Sequence, residues 1–435
     1  MVTITVTEES TFVFVVRNGR VSIVRADLGK QEIDDAVAAL RDAFIVRGSS
    51  VFEFDLGLSY RLYNALFGPV EEQLAGVRHM VYVPTGSLLS LPLGILVRKP
   101  PVGESTAGYL NAAWLARDMS VSILPSVRSF VDLRLIAGRS RAPRPFVGFG
   151  NPIFDGFAAP VRVTAAPSDL PSGEPVRHVS VTTSGPANPA AHFERHFGTP
   201  FGRRPQEEGE LRTRNLSGAM DALCAGGQLD PSKIIRQLAP LPETEDELLR
   251  VSSILGGTSG DVITRTQASE AQVKATDLSQ YRVIYFATHG LLPGELRCQA
   301  EAALAMTPPS QSGDETDDGL LATSDIARLN LDADLVVLSA CNTGGPSGKM
   351  GGEALSGLAR SFFYAGARRL MVSHWVVPSL ATVQLTTGMF ERFSSVGSSE
   401  SLRQAQLALI DDPRTAHPFF WGAFTIVGDG GQQNP

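Results

Sequence analysis

The sequence is poor in cysteine, and the few cysteines it has exclude two kinds of site. Cys224, Cys298 and Cys341 are too few and too scattered in 435 residues for a disulfide framework. No Cys-x-x-Cys pair is present to predict a zinc site. We therefore expect a reducing, cytoplasmic setting in which a free thiol is available, and chemistry that needs no cofactor and no metal.

Long apolar runs and net positive charge are also missing. No apolar stretch approaches the ~18 residues of a membrane span, and the N-terminus lacks the basic segment of a signal peptide. The formal net charge is −7, so the sequence offers no basic surface for nucleic acid or anionic lipid. We expect a protein that binds neither nucleic acid nor a membrane directly.

The distribution of apolar residues predicts three parts. Residues 1–157 combine helix candidates with short apolar runs that end in small residues, as buried parallel strands do. Residues 158–235 are rich in Pro, Gly and Ser and poor in large apolar residues, which indicates an insertion or a linker. Residues 236–435 alternate between strands and helices.

The alternation in the third part predicts an α/β fold. Apolar runs and helical periodicity predict strands at 282–287, 335–340 and 368–374 and helices at about 323–328, 353–365 and 379–394. Strands that are apolar throughout are typical of a sheet that is buried on both faces. We therefore predict a mostly parallel central sheet that lies between two layers of helices.

Two of these strands end at reactive side chains. The run "VIYFATHGLL" leads to His289, and "LVVLSACNTGG" leads to Cys341. Because chemistry in an open parallel sheet collects at the carboxyl ends of its strands, neighbouring strands would bring both side chains into one crevice. Each residue alone is more commonly structural, as a satisfied histidine or an inert buried thiol. The pair together favours catalysis.

Such a pair has defined roles in thiol catalysis. His289 would generate the thiolate of Cys341 and later protonate the leaving amine. Gly290 has no Cβ, so its N–H can turn towards a substrate carbonyl. We assign the N–H groups of Gly290 and Cys341 to an oxyanion hole. Cys224 and Cys298 have no strand-end context and receive no catalytic role.

The surrounding motifs resemble those of the CHAT-domain family of clan CD cysteine peptidases, which are relatives of caspases and separase. The matching segments are "LYNALFGPVEEQL", "VYVPTGSLLSLPLGIL", "PSVRSF", "LPETEDEL", "FATHG", "DGLLATSDIARLNLDADLVVLSACNTG", "GGEALSGLARSFFYAGARRLMVSHWVV" and "HPFFWGAFTIVGD". Cys341 also follows His289 by 52 residues (341 minus 289), close to the roughly 50 of caspases. The resemblance covers nearly the whole chain except the Pro-rich stretch.

The resemblance implies a caspase-like αβα sandwich with His289 as base and Cys341 as nucleophile. It further implies that residues 1–157 form a degenerate, pseudo-protease-like α/β half. An internal similarity fits this, since "YVPTGSLL" (82–89) aligns with "YFATHGLL" (285–292) and places Gly86 where His289 stands. Chance similarity between two strand–turn units is the alternative.

The residues of a substrate pocket are predicted less sharply. His374 and Trp375 end a strand at the same edge, although packing under the rim is an equal alternative for Trp375. Asp325 and Glu353 would favour Arg or Lys in the substrate, whereas Arg360 and Arg368 would favour an acidic residue, so the preference stays open. The charged loop 308–319 is a candidate for self-cleavage or regulation.

We therefore predict a cysteine endopeptidase that cleaves a protein substrate and is held latent until a partner or signal activates it. Members of the family often follow tetratricopeptide repeats, and none is visible here. The resemblance thus suggests either a separate repeat-type activating or sensor protein or a longer parent chain. The alternative function is a non-catalytic scaffold of a bacterial-type signalling or defence complex, which would have no physical need for both His289 and Cys341.

Overall fold

The computed structural model describes residues 1–45, 51–103, 105–129, 131, 139–155, 235–291, 301–309, 317–339, 351–375 and 379–430. Its strands are β1 (Val2–Val6), β2 (Thr11–Arg17), β3 (Arg20–Ala26), β4 (His79–Val83), β5 (Ser120–Ile123), β6 (Arg144–Pro152), β7 (Val262–Arg265), β8 (Tyr281–Ala287), β9 (Gly290–Leu291), β10 (Ala303–Ala305), β11 (Leu320–Ala322), β12 (Leu335–Leu338), β13 (Leu370–Ser373) and β14 (Phe424–Val427). Its α-helices are α1 (Lys30–Asp42), α2 (Leu56–Phe67), α3 (Glu71–Leu74), α4 (Ser105–Asn111), α5 (Leu115–Asp118), α6 (Glu243–Leu255), α7 (Glu270–Ala275), α8 (Thr323–Ile326), α9 (Gly351–Ala365), α10 (Ser379–Val396), α11 (Ser398–Ile410) and α12 (Pro418–Trp421).

One sheet of eleven strands runs through both ends of the chain, in the order β3-β2-β1-β4-β5-β14-β13-β12-β8-β6-β7. The strands β13, β12, β8, β6 and β7 are mutually parallel. β14 is antiparallel to β13 and parallel to β5, which is parallel to β4. The strands β4 and β8 therefore run in opposite directions in one continuous sheet, so their carboxyl ends lie on opposite sides of it.

Helices cover both faces of the sheet around β8. Tyr285 and Val283 belong to one buried apolar cluster, whereas Ile284 and Phe286 belong to another, because successive side chains of a strand point to opposite faces. Helices α6, α10 and α11 contribute to the first cluster, and α7, α8 and α9 contribute to the second. This is the predicted layering of helices, a mostly parallel sheet and helices.

The first cluster continues into the N-terminal part of the chain. It includes Leu62 of α2 and Tyr82 of β4. It also joins the N-terminal part to the C-terminal end of the chain, because the rings of Trp114 and Trp421 meet edge to face with centroids 5.2 Å apart. Each such large buried side chain contributes roughly 1.5–3 kcal/mol relative to an exposed one. The two halves of the sheet thus share one core.

The predicted elements of the third part are confirmed, and two of the strands are slightly shorter than predicted. β12 ends at Leu338 and β13 spans Leu370–Ser373, against predicted ranges of 335–340 and 368–374. The proposed division into three parts stays a prediction. β6, which precedes the Pro-rich stretch, pairs with β8 and β7 of the third part.

The residues that flank the Pro-rich stretch lie together. The N–H of Asp155 donates to the carbonyl of Arg236 at 2.6 Å, and the guanidinium of Arg236 pairs with the Asp155 carboxylate. The segment between residues 155 and 236 therefore leaves the fold and returns to it at the same place. No helix within the described ranges is both long enough and apolar enough to cross a membrane.

Candidate active site

The strands that lead to His289 and Cys341 are neighbours. β8 and β12 pair in parallel, with Phe286 opposite Leu338. His289 and Cys341 each follow their member of this pair by three residues. Cys341 and its N–H lie outside the described residues, which stop at Ser339 on this side, so the distance between the two side chains stays a prediction.

The imidazole of His289 is held by a backbone carbonyl. Its Nε2 lies 2.8 Å from the carbonyl oxygen of Ala239, and its ring packs 5.5 Å from that of Phe154. Because a carbonyl can only accept a hydrogen bond, the neutral ring carries its proton on Nε2. Nδ1 then has the free lone pair and is the atom that can act as a base.

The surroundings of His289 keep the ring neutral. Burial is the largest influence and lowers the pKa of His289, while the Ala239 carbonyl and the nearby carboxylate of Glu243 partly oppose this effect. A lowered pKa means that the imidazole is unprotonated at neutral pH. A general base needs this state before it can accept a proton from a thiol.

The N–H of Gly290 points away from its strand partner. In the small sheet, ordered β11-β10-β9, Gly290 lies opposite Leu304, and the carbonyl of His289 accepts from the N–H of Ala305 at 2.9 Å. Bonded and non-bonded pairs alternate along an antiparallel ladder, so Gly290 belongs to a non-bonded pair. Its N–H faces off the edge of this sheet, as an oxyanion donor requires.

Two contributors to the setting of His289 were missed from the sequence, Ala239 and Phe154. Ala239 acts through its carbonyl, which no side-chain pattern reveals, although it stands just before the "LPETEDEL" segment. Phe154 follows β6 and precedes the Pro-rich stretch. The helix α6 begins four residues after Ala239, with Glu243, Glu245 and Asp246 in its first turn.

His374 and Trp375 are buried at the carboxyl end of β13. Trp375 stacks on Phe44 with ring centroids 3.9 Å apart, and its indole N–H donates to the carbonyl of Phe419 at 3.0 Å. His374 Nε2 lies 2.8 Å from Thr425 Oγ1. These contacts agree with packing, the alternative given for Trp375, and a pocket role for either residue stays a prediction.

Charged candidates for substrate recognition are engaged elsewhere. The carboxylate of Asp325 lies 2.9 Å from Lys274 Nζ and accepts from the N–H of Ala322. Arg368 pairs with Asp332 at 2.6 Å. Nothing is described for the side chain of Glu353.

Several other predicted positions also fall outside the described part of the chain. They are Cys224, Cys298 and residues 310–316 of the charged loop. Within the described ranges, no group of three His, Cys, Asp or Glu residues is arranged to hold a metal ion.

Comparison with known proteins gives a family match and distant relatives. A family model described as "CHAT domain" matches residues 57–429. Tetratricopeptide repeat protein 28 of Mus musculus and that of Homo sapiens are each 25% identical over 252 residues, which is 50% of this chain and 10% of those proteins. The chain thus spans about a tenth of the curated relatives it matches.

Two solved structures are similar at low identity. One is the Arg-specific cysteine proteinase gingipain R, with 9% identity and a TM-score of 0.44 over 93% of this chain and 75% of that chain. The other is the complex of the Porphyromonas gingivalis RgpB pro- and mature domains, with 10% identity and a TM-score of 0.41 over 92% and 76%. At TM-scores below 0.5, these similarities are too distant to transfer an activity or a site.

Proposed function

We propose that this chain, which belongs to the CHAT domain family, is a cysteine endopeptidase that cleaves a protein substrate through His289 and Cys341. The observation that carries the proposal is the register of β8 and β12, which sets both residues three positions beyond one strand pair. The fixed tautomer of His289 supports it, because Nδ1 is left as a base. The outward N–H of Gly290 supports an oxyanion hole.

The reaction follows from these groups. Nδ1 of His289 takes the proton of the Cys341 thiol, and the thiolate sulfur attacks the scissile carbonyl carbon. The negative charge that develops on the carbonyl oxygen is stabilised by the N–H groups of Gly290 and Cys341. His289 then gives its proton to the amine as the C–N bond breaks. Water, deprotonated by His289, hydrolyses the resulting thioester and restores the thiol.

We further propose a cytoplasmic enzyme that is latent until activated. An unregulated cytoplasmic endopeptidase would damage its host, so an activating signal is needed. The curated relatives carry tetratricopeptide repeats in their names, which supports a repeat-type protein as the activator or sensor. The proposed enzyme contacts nucleic acid neither as substrate nor as partner, and it needs no metal for the reaction.

The test compares the unaltered chain with Cys341→Ala and His289→Gln. Each would be incubated with a peptide library and with a thiol-reactive acyl probe, in the presence and absence of candidate repeat proteins. We expect cleavage and probe labelling at Cys341 in the unaltered chain alone. Absence of cleavage under all conditions, with equal labelling of the unaltered chain and His289→Gln, would favour a non-catalytic scaffold instead.

A further inference from the structure

A buried carboxylate lies beneath the candidate site and takes no part in the reaction described above. Glu247 is 3% exposed, in the middle of α6, and the hydroxyl of Tyr285 donates to its Oε1. Tyr285 is fully buried on β8, four residues before His289. A buried carboxylate is costly, so its retention calls for a physical reason.

The same tyrosine reaches the neighbouring strand. The side chain of Ser339, the first residue after β12, lies near the hydroxyl of Tyr285 and partly opposes the burial that raises the pKa of this tyrosine. The backbone N–H of Ser339 donates to the carbonyl of Phe286 at 2.9 Å, which extends the ladder between the two strands by one residue. Ser339 is thus held to β8 by its backbone, with its side chain near Tyr285, two positions before Cys341.

The helix that carries Glu247 is itself tied down next to His289. The N–H of Asn151, at the end of β6, donates to Thr244 Oγ1 at 2.8 Å, and its amide donates to Glu245 at 2.8 Å. A short turn before this helix, the carbonyl of Ala239 holds His289. The helix and the turn before it therefore contact both Tyr285 and His289 on the strand that carries the base.

We propose that Glu247, Tyr285 and Ser339 form a positioning trio, which fixes the strand end before Cys341 to the helix whose N-terminal side holds His289. The trio acts through the dyad and touches no substrate, so it rests on the proposed function. The three residues of the trio lie in the part of the chain that the structure describes. The proposal predicts that they influence the reactivity of the Cys341 thiol.

The charge of the trio changes near neutral pH. Burial raises the pKa of Glu247 to about 7, while hydrogen bonds from Tyr285 and Thr386 lower it and the charge of Glu243 raises it. These are the groups that face Glu247 from β8, from α10 and from its own helix. The ionised carboxylate can only accept, so it orients the Tyr285 hydroxyl towards itself.

The experiment measures the rate at which iodoacetamide alkylates each of the three cysteines of the full chain, resolved by peptide mass spectrometry. This rate needs no substrate and no activator. Cys224 and Cys298 report on general loosening within the same molecule. Tyr82→Phe is the matched control, because Tyr82 is also a fully buried tyrosine, and its hydroxyl has no hydrogen-bond partner within the described residues.

We expect Tyr285→Phe and Ser339→Ala each to change the Cys341 rate about tenfold, with the double variant no further changed than either single one. Glu247→Gln, which keeps an acceptor for Tyr285, should preserve the rate but remove the inflection near pH 7 from its pH profile. Cys224 and Cys298 should stay within about twofold, and Tyr82→Phe should change nothing.

Equal effects of Tyr285→Phe and Tyr82→Phe on Cys341 would overturn the proposal, as would parallel changes at all three cysteines. A pH inflection that persists in Glu247→Gln would do the same. Peptide cleavage is scored separately, so that a trio-dependent Cys341 rate without any cleavage would support the positioning role and reject the peptidase.

Discussion

The strand that leads to Gly86 and the strand that leads to His289 show how similar segments differ in their surroundings. Tyr82 of β4 and Tyr285 of β8 occupy aligned positions, and both are fully buried. Tyr285 donates to a buried carboxylate, whereas the hydroxyl of Tyr82 has no partner within the described residues. Both strands thus bury a tyrosine in an apolar core, and within the described residues only the Tyr285 hydroxyl has a hydrogen-bond partner.

Buried acids follow the same division. In the described part of the chain, the carboxylates classed as buried are Glu247, Asp261 and Glu270, and all three belong to residues 236–435. Such groups lower stability unless they are paired. Among the described residues, buried acids thus occur in the part that carries the candidate site and not in residues 1–155, which is expected where stability is given up for function.

The largest expected effect separates the two strand ends by activity. His289→Gln removes the base, and we expect kcat/KM for peptide cleavage to fall about 10³-fold, within the range of general base catalysis. Gly86→Ala, at the aligned position, should leave kcat/KM within about twofold. Comparable losses in both variants would mean that the first strand end also takes part in the reaction.

A second comparison uses pH. Burial raises the pKa of Glu247 from 4.5 to about 7, so the native state holds this proton more tightly than the unfolded chain does. The stability that the protonated group contributes is complete below about pH 4.5 and is lost as pH rises through 7. Relative to Glu247→Gln, the unaltered chain should lose about 3 kcal/mol of unfolding free energy between pH 4 and 8.

Urea unfolding of both proteins at several pH values measures this difference. A difference that is constant across the range would show that the pKa of Glu247 is not raised in the native state. Glu32→Gln, which keeps an acceptor for the N–H of Gly29 at the start of α1, is the control for the removal of one negative charge.

Removal of each aligned tyrosine hydroxyl should separate the two strands by stability. Tyr285→Phe removes a hydrogen-bond donor from the buried Glu247 carboxylate and should lower the unfolding free energy by about 2 kcal/mol. Tyr82→Phe removes a hydroxyl that has no partner in the described residues, so it should be neutral or slightly stabilising. The difference is read from urea denaturation at pH 7, and equal losses would contradict the assigned hydrogen bond.

The smallest expected effect concerns the backbone at Gly86. Its φ is +60°, a left-handed conformation that costs a residue with a Cβ roughly 1 kcal/mol, and an added Cβ would meet nothing within 4 Å. Gly86→Ala should therefore lower the unfolding free energy by about 1 kcal/mol through backbone strain alone. A larger loss in thermal denaturation would indicate a steric conflict that the structure does not contain.

The buried helices and strands were predictable because burial requires apolar residues at regular positions in the sequence. The ranges 282–287, 335–340 and 368–374 each contain an uninterrupted apolar run, and the structure forms β8, β12 and β13 there. Their order in the sheet was not predictable, because no periodicity states which strands pair. The strand direction in the sheet reverses between β13 and β14, which pair antiparallel, and no local sequence pattern predicts this.

The site was predictable where side chains define it and hidden where the backbone does. His289 was identified from its place after a strand, whereas the carbonyl that fixes its tautomer belongs to Ala239, a residue with no distinctive side chain. Glu247 did leave a signal, since it lies next to Leu248 and four residues before Val251 on the buried face of α6. An acid on an apolar helix face indicates a buried partner.

The hydrogen bond between Asp155 and Arg236 has a consequence for how such a chain can diversify. Because the two sides of this junction are adjacent, a longer segment between them adds only a slowly growing loop-closure cost to the sheet on either side. Phe154 and Ala239, which contact His289, stand one and three residues from Asp155 and Arg236. A segment inserted at this junction would therefore start and end next to residues that contact the base, so it could alter the setting of His289 directly.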